Sequence, residues 1–225
     1  MGNDVRSKQI PYPDPVTPTE KRMAAMCMIA RSLVAPFAKV EIDGRQTLAD
    51  VGPFVAGANH RSLADLFVGL VAFHHLGVFP SILFNRRMLP GPLSRMAEAC
   101  GAILVDEGGA TKAAVTAVGK GACIMVMPEG GLFFDEAAPR QLGPIKPGIA
   151  RIARLGSVPM VPIAVDGTQK VWPKGSFPRF HRKRPTIVVT VGEPTPSAFS
   201  ATADQNDDQG ESEKLMATVA AMLIN

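Results

Sequence analysis

The chain has 225 residues, 46% of them hydrophobic and 20% charged, with a net charge of +4. That length and apolar fraction suit one globular domain with a full-sized core, or at most a domain with a small appendage, and no internal repeat argues for an array. The three cysteines, Cys27, Cys100 and Cys123, stand singly inside apolar segments, which excludes a zinc ribbon or disulfide framework and points to a reducing cytosol.

Residues 1–20 form a polar, proline-rich tail without the basic-then-apolar layout of a secretory signal. Arg6 stands where a myristoylation motif needs Ser or Thr. Residues 21–200 are expected to be the domain proper. A helix is predicted from Glu20 to Ala38; cut by Arg31 and Pro36, it is suited to lie on a bilayer or another helix rather than to cross a membrane. "FAKVEI" begins a strand. The window Leu66 to Asn85 carries no formal charge over about the length of a bilayer core, but His74, His75, Gly77 and Pro80 break it, and Phe79 to Phe84 reads as a separate buried strand.

Further Val- and Ile-rich runs, "GPFVAGA", "AILV", "ACIMVM", "VPMVPIAV" and "TIVVTV", read as strands covered on both faces. Helical patterns at Ser62–His75, Leu93–Cys100, Thr111–Lys120 and Lys146–Leu155 alternate with them. The expected fold is a single α/β domain with a largely parallel central sheet flanked by helices. "PRFHRKRP" is the densest basic run, read as a solvated loop or as a site for anionic lipid, coenzyme phosphates or an acidic carrier protein. One short patch is a poor nucleic-acid footprint. Residues 201–225 read as an acidic, solvated linker, "ADQNDDQGESEK", feeding a C-terminal helix that packs on the same domain.

The stretch "GANHRSLADLF" puts Asn59 and His60 at the end of a strand, where open α/β sheets bind ligands. Two readings are open. Ser62 can cap the following helix while Asp65 returns a hydrogen bond to the backbone, a capping box with no chemistry. Alternatively His60, ahead of the helix, and Asp65, in its first turn, face each other, so that the carboxylate fixes a tautomer and the imidazole takes a proton from an attacking hydroxyl. No protein nucleophile is then needed, and the chain has no GxSxG elbow. "MPEGG" ends another buried strand: Pro128 stops the ladder, and Gly130 and Gly131 either make a plain turn or let backbone N–H groups approach a developing oxyanion.

Together these segments resemble the glycerophospholipid acyltransferases, the superfamily that includes glycerol-3-phosphate and lysophosphatidic acid acyltransferases. "NHRSLAD" resembles their Asn-His-x4-Asp motif, "MPEGG" the start of their Phe-Pro-Glu-Gly-Thr-Arg block, and Arg86 to Gly108 the block that closes on Gly-x-Ile-x-Val-Asp-Arg. Lys146 to Thr168 is similar to their Lys-x-Gly segment and Val-Pro-x-x-Pro strand, and "VTVGEPTP" to their closing strand. The resemblance spans roughly Val40 to Pro196. It implies transfer of a fatty acyl group from acyl-CoA or an acyl-carrier protein to a hydroxyl-bearing lipid or small-molecule acceptor, through a ternary complex and without metal or organic cofactor. His60 would be the base and Asp65 its partner. Asn59, Arg61, Ser62, Arg86, Glu107, Pro128, Glu129, Gly130, Gly131 and Lys146 would shape the substrate site.

Two positions depart from that pattern. Glu107 and Leu132 occupy places where the family carries arginines thought to hold the acceptor's phosphate, and each charge-assisted bond is worth about 1.5–3 kcal/mol. The expected acceptor is therefore a lyso-lipid or specialised metabolite without the usual phosphate. The alternatives are an ordinary 1-acylglycerol-3-phosphate, a thioester hydrolase, or a non-catalytic module that binds acyl chains or carrier protein. The expected setting is cytoplasmic, with peripheral contact on the inner face of the cell membrane. His74 and His75 form no ligand set for a metal, and most methionines are expected in the core.

Overall fold

The structure is a computed structural model that describes residues 20–44, 48–88, 91–99, 101–106, 108–195 and 205–224. The tail, Glu107 and the start of the C-terminal segment lie outside the described residues, apart from Glu20. In chain order the elements are α1 (Glu20–Val34), β1 (Lys39–Gly44), β2 (Val55–Ala58), α2 (Ala64–His75), β3 (Ser81–Asn85), α3 (Pro92–Ala99), β4 (Ile103–Val105) and α4 (Ala110–Gly119). They continue with β5 (Ile124–Val126), α5 (Gly148–Gly156), β6 (Met160–Asp166), a single turn α6 (Thr168–Val171), β7 (Thr186–Val191) and α7 (Gln205–Met222).

The strands form one sheet in the order β1-β7-β6-β2-β5-β3-β4. Every described pairing is parallel except β6 with β7. The chain is thus the α/β domain with a largely parallel sheet that the alternating pattern predicts. Helix α1 stops at Val34 rather than Ala38, as expected when Pro36 removes a backbone donor.

Successive strand residues point to opposite faces, and the two faces have separate cores. Ala56 and Ala58 of β2, with Val161, Ile163 and Val165 of β6, pack with Val68, Ala72, Phe73 and Leu76 on the side of α2. Val55 faces the other way, against Ala114 and Ala117 of α4, Ile149 and Ala153 of α5, and Leu215 of α7. Gly57 shares that second face. A Cβ there would meet Ile149 Cδ1 at 2.6 Å and Leu215 Cδ2 at 2.7 Å, so a bare backbone lets α5 and α7 close on the centre of the sheet.

From Gln205 on, the acidic C-terminal stretch is not a solvated linker. It is the first half of α7, which packs on α5, β6 and β2. Asp208 is fully buried and holds Arg151 Nε at 3.0 Å and Arg154 Nε at 2.8 Å. Ser212 Oγ accepts from the Ala150 N–H at 3.3 Å and donates to the Asp208 carbonyl at 2.8 Å. A run of acids looks solvated when its cationic partners lie more than fifty residues away.

The hydrogen bond from Arg154, followed by that from Arg151, holds the Asp208 carboxyl below its ordinary value against the opposing effect of burial. Its contribution to stability is therefore complete above the unfolded carboxyl range, about pH 4, and is lost as pH falls through the lower folded value. Asp208→Ala is expected to cost about 2–4 kcal/mol at pH 7. In urea unfolding series the gap to the parent chain should narrow below about pH 4.

Candidate active site

The parallel strands β6, β2, β5, β3 and β4 all end at one edge of the sheet, so their C-terminal ends bring distant segments together there. At that edge Asn59 is fully buried and extends the β2–β6 pairing by one step. Its Nδ2 donates to the Val165 carbonyl at 2.8 Å, and its Oδ1 accepts from the Val165 N–H at 2.8 Å. The amide thus imitates a strand residue. Asn59, expected to contact substrate, instead fixes the direction in which the chain leaves the sheet.

The next residues wrap around one carboxylate. Asp65 Oδ2 accepts from His60 Nδ1 at 2.8 Å, from the Arg61 N–H at 2.8 Å and from the Ser62 N–H at 2.9 Å. A carboxylate can only accept, so Nδ1 donates, and in the neutral ring Nε2 then keeps its lone pair. The carboxylate is fully enclosed while the imidazole is 21% exposed. Asp65 Oδ1 has no hydrogen-bond partner among the described residues, and Asp65 helps line a small apolar cavity with Gly69, Phe73, Met125, Met127 and Ile163.

The turn therefore joins the backbone capping by Asp65 to the His60–Asp65 contact, with one change. The capping position of α2 is Leu63, which has no side-chain cap, and Ser62 sits one residue earlier. Its hydroxyl accepts from the Ala64 N–H at 3.0 Å and donates to the Trp172 carbonyl at 2.7 Å. Trp172 in turn lies parallel to Phe67 of α2, with ring centroids 6.5 Å apart.

Glu129, at the end of β5, grips the histidine's backbone. Its Oε1 accepts from the His60 N–H at 2.8 Å and its Oε2 from the Gly143 N–H at 2.7 Å. Burial pushes this carboxyl up, opposed by those two hydrogen bonds and by the charges of His60 and Arg61. Arg61 is buried as well. Its guanidinium meets Asp166 at 2.6 Å and the Pro139 carbonyl, and it lies 5.3 Å from the centroid of the Phe134 ring. Burial lowers its pKa, and Asp166 is the chief opposing charge. The arginine expected at the substrate thus bridges β2's exit to the end of β6.

Gly130 takes φ +68°, a backbone conformation that side chains rarely adopt. The Lys146 side chain occupies the place of its missing Cβ, with Cε 2.9 Å from that position. The Lys146 N–H also donates to the Pro128 carbonyl at 3.0 Å, so Pro128, Gly130 and Lys146 converge. Of the two readings of the glycine pair, Gly130 takes the turn: its N–H closes onto the Met127 carbonyl at 3.0 Å. Gly131 is exposed, and a Cβ there would meet nothing within 4 Å.

Arg86 follows β3 at the same sheet edge, exposed, 3.7 Å from Glu98 and 3.8 Å from Asp106. Those contacts are too long for hydrogen bonds. Leu132 is half-buried, and its carbonyl accepts from Lys174 Nζ at 3.1 Å. Sequence reasoning did not find Gly143, Asp166, Trp172 or Lys174; Gly143 reaches the site over 14 residues and the others over 42 to 110, separations that no local pattern signals. His74 and His75 end α2, about 16 Å along its axis from the start. No group of His, Cys, Asp and Glu among the described residues is placed to hold a metal ion.

Residues 39–166, which carry the whole His60, Asp65, Glu129 and Lys146 constellation, match the model of the family described as Acyltransferase. The chain belongs to that family. It is 31% identical over 153 residues to the chloroplastic 1-acyl-sn-glycerol-3-phosphate acyltransferase of Brassica napus, covering 64% of this chain and 42% of the relative. It thus spans about two-fifths of that relative's length. Its fold is that of the crystal structure of the 1-acyl-sn-glycerophosphate (LPA) acyltransferase PlsC from Thermotoga maritima, with a TM-score of 0.69 at 17% identity over 90% of this chain and 81% of the other.

The Asn59 bridge makes a structural prediction. Asn59→Asp replaces the donor facing the Val165 carbonyl with a second acceptor in a buried place, and should cost about 2–4 kcal/mol. Urea unfolding at neutral pH would measure it as a lowered midpoint with an unchanged slope.

Proposed function

We propose that this chain is an O-acyltransferase that moves a fatty acyl group from an acyl-CoA or acyl-carrier-protein thioester to a hydroxyl of a lipid acceptor, working on the inner face of the cell membrane. One observation carries the reading. In a chain of the acyltransferase family, the His60 ring is held by a buried carboxylate at 2.8 Å and remains partly exposed at the C-terminal edge of the sheet.

In this mechanism the acceptor O–H adds to the thioester carbonyl carbon while His60 Nε2 takes the hydroxyl proton, and Asp65 steadies the imidazolium that forms. The tetrahedral oxyanion collapses, the C–S bond breaks, and the thiolate leaves with the proton from Nε2. The products are an ester and a free thiol. Glu129 positions His60 through the backbone and touches no reacting atom.

The acceptor best supported is a 1-acylglycerol-3-phosphate, the substrate named for both relatives. Cations favour it too. Lys146 lies over the Gly130 turn, and Lys174 reaches the carbonyl of Leu132, so an ammonium stands beside the position where the family's arginine is missing. A second reading, an acceptor without phosphate, draws on the replacement of both family arginines by Glu107 and Leu132. Among the described residues no helix is long and apolar enough to cross a membrane, which suits an enzyme lying on its lipid substrate.

Purified protein given acyl-CoA should release thiol when lysophosphatidic acid is added, and more slowly with a non-phosphorylated lyso-lipid. A reversal of that order selects the second reading. His60→Ala is expected to lower transfer by roughly 10²–10⁴-fold, with Asp65→Asn close behind. Thiol release without any acceptor would mark a hydrolase, and transfer indifferent to His60→Ala would leave only a binding module.

A further inference from the structure

The charge of this chain is concentrated in one loop. Between Gly167 and Pro185 stand Lys170, Lys174, Arg179, Arg182, Lys183 and Arg184, with no carboxylate, so this segment alone exceeds the net +4 of the whole protein. Two aromatic rings project among these cations: Phe177 is 88% exposed and Phe180 76%. Rings this bare, surrounded by like charges, have no role in the core.

The loop is built rather than loose. The Arg179 N–H donates to the Val171 carbonyl at 2.8 Å, Trp172 Nε1 donates to the Ser176 carbonyl at 2.7 Å, and His181 Nε2 lies 2.9 Å from the Lys170 carbonyl. Its far end is fastened to the turn after α1. Phe180 packs on Phe37 with centroids 4.3 Å apart, and Arg184 Nη1 donates to the Ala35 carbonyl at 2.8 Å. Helix α1 adds Met28, Ile29 and Leu33, all at least half exposed. Along another face of α1 runs an open groove of about 520 Å³, lined by Val34, Val40 and Val71 and by Arg31, Lys39 and Arg184. The near end of the loop belongs to the catalytic turn, through Ser62 Oγ to the Trp172 carbonyl and Lys174 Nζ to the Leu132 carbonyl.

We propose that residues 172–184, with the adjoining end of α1, form a docking surface for an anionic bilayer, in which Phe177 and Phe180 enter the acyl region while the flanking cations meet headgroup phosphates. The pairing of bare rings with cations decides the partner. Coenzyme phosphates or an acidic carrier protein would be served by the charges alone, whereas rings and aliphatic side chains beside cations match the layered polarity of a bilayer interface. The choice of a bilayer rests on the lipid-acceptor reading above. Because the loop's root is fastened to the His60 turn, docking would set the catalytic edge against the membrane that holds the acceptor.

The test is sedimentation of the full chain with vesicles of phosphatidylcholine, or of phosphatidylcholine mixed equally with phosphatidylglycerol, with no substrate present. Binding should favour the mixed vesicles and weaken with salt. Phe177→Ser should weaken it about tenfold, and Arg182→Ser with Lys183→Ser about twenty-five-fold, near fivefold for each cation removed. Circular dichroism and transfer of a short-chain acyl group to a water-soluble acceptor should not change in either variant. Equal binding to the two vesicle types, or variants that bind like the parent, would overturn the proposal. So would loss of carrier-protein binding in the double variant with vesicle binding intact, which would assign the loop to that protein. Vesicle docking by a parent chain that transfers nothing would refute the acyltransferase reading instead, and the docking surface would stand.

Discussion

One carboxylate organises the turn on which the rest of the site is built. Asp65 is enclosed, and its Oδ2 receives the His60 ring and two consecutive backbone N–H groups. The backbone bonds fix where the oxygen sits, and the oxygen fixes the ring. A histidine five residues upstream could otherwise rotate through several rotamers, losing the orientation a proton transfer needs. The same oxygen thus folds the entry to α2 and aims an imidazole, so local stability and the proposed chemistry share an atom.

Around this turn the protein buries charges that would be costly alone. Arg61, Asp166 and Glu129 are buried or nearly so, and each has partners: Arg61 has Asp166 and a carbonyl, and Glu129 has two backbone donors. Arrangements like this add little net stability compared with apolar packing, because desolvation offsets attraction. Their value here is positional. They join the ends of β2, β5 and β6 into one frame, with Asn59 completing the seam to Val165.

Much of the architecture could be read from the chain. Short apolar runs such as "ACIMVM" and "TIVVTV" announced strands because branched apolar side chains suit a pleated surface, and the structure places β5 and β7 within those runs, although only one face of β7 is fully buried. His60 and Asp65 were legible because their partnership is local, and the order of motifs supplied the family. What was not legible is non-local. The Asp208 cluster turns an acidic stretch into packed helix only because Arg151 and Arg154 arrive from α5. Arg61 reads as a residue of the substrate site until Asp166, 105 residues later, takes it. Ser62 reads as a cap, yet its hydroxyl also serves Trp172, a residue with no local reason to be near.

The bidentate hold of Glu129 has a mechanical corollary. With one oxygen on the His60 N–H and the other on the Gly143 N–H, the segment from 130 to 143 and the imidazole's main chain are coupled through a single side chain only a few bonds long. The imidazole's main chain is therefore held in place partly by a turn fourteen residues beyond the carboxylate that grips it.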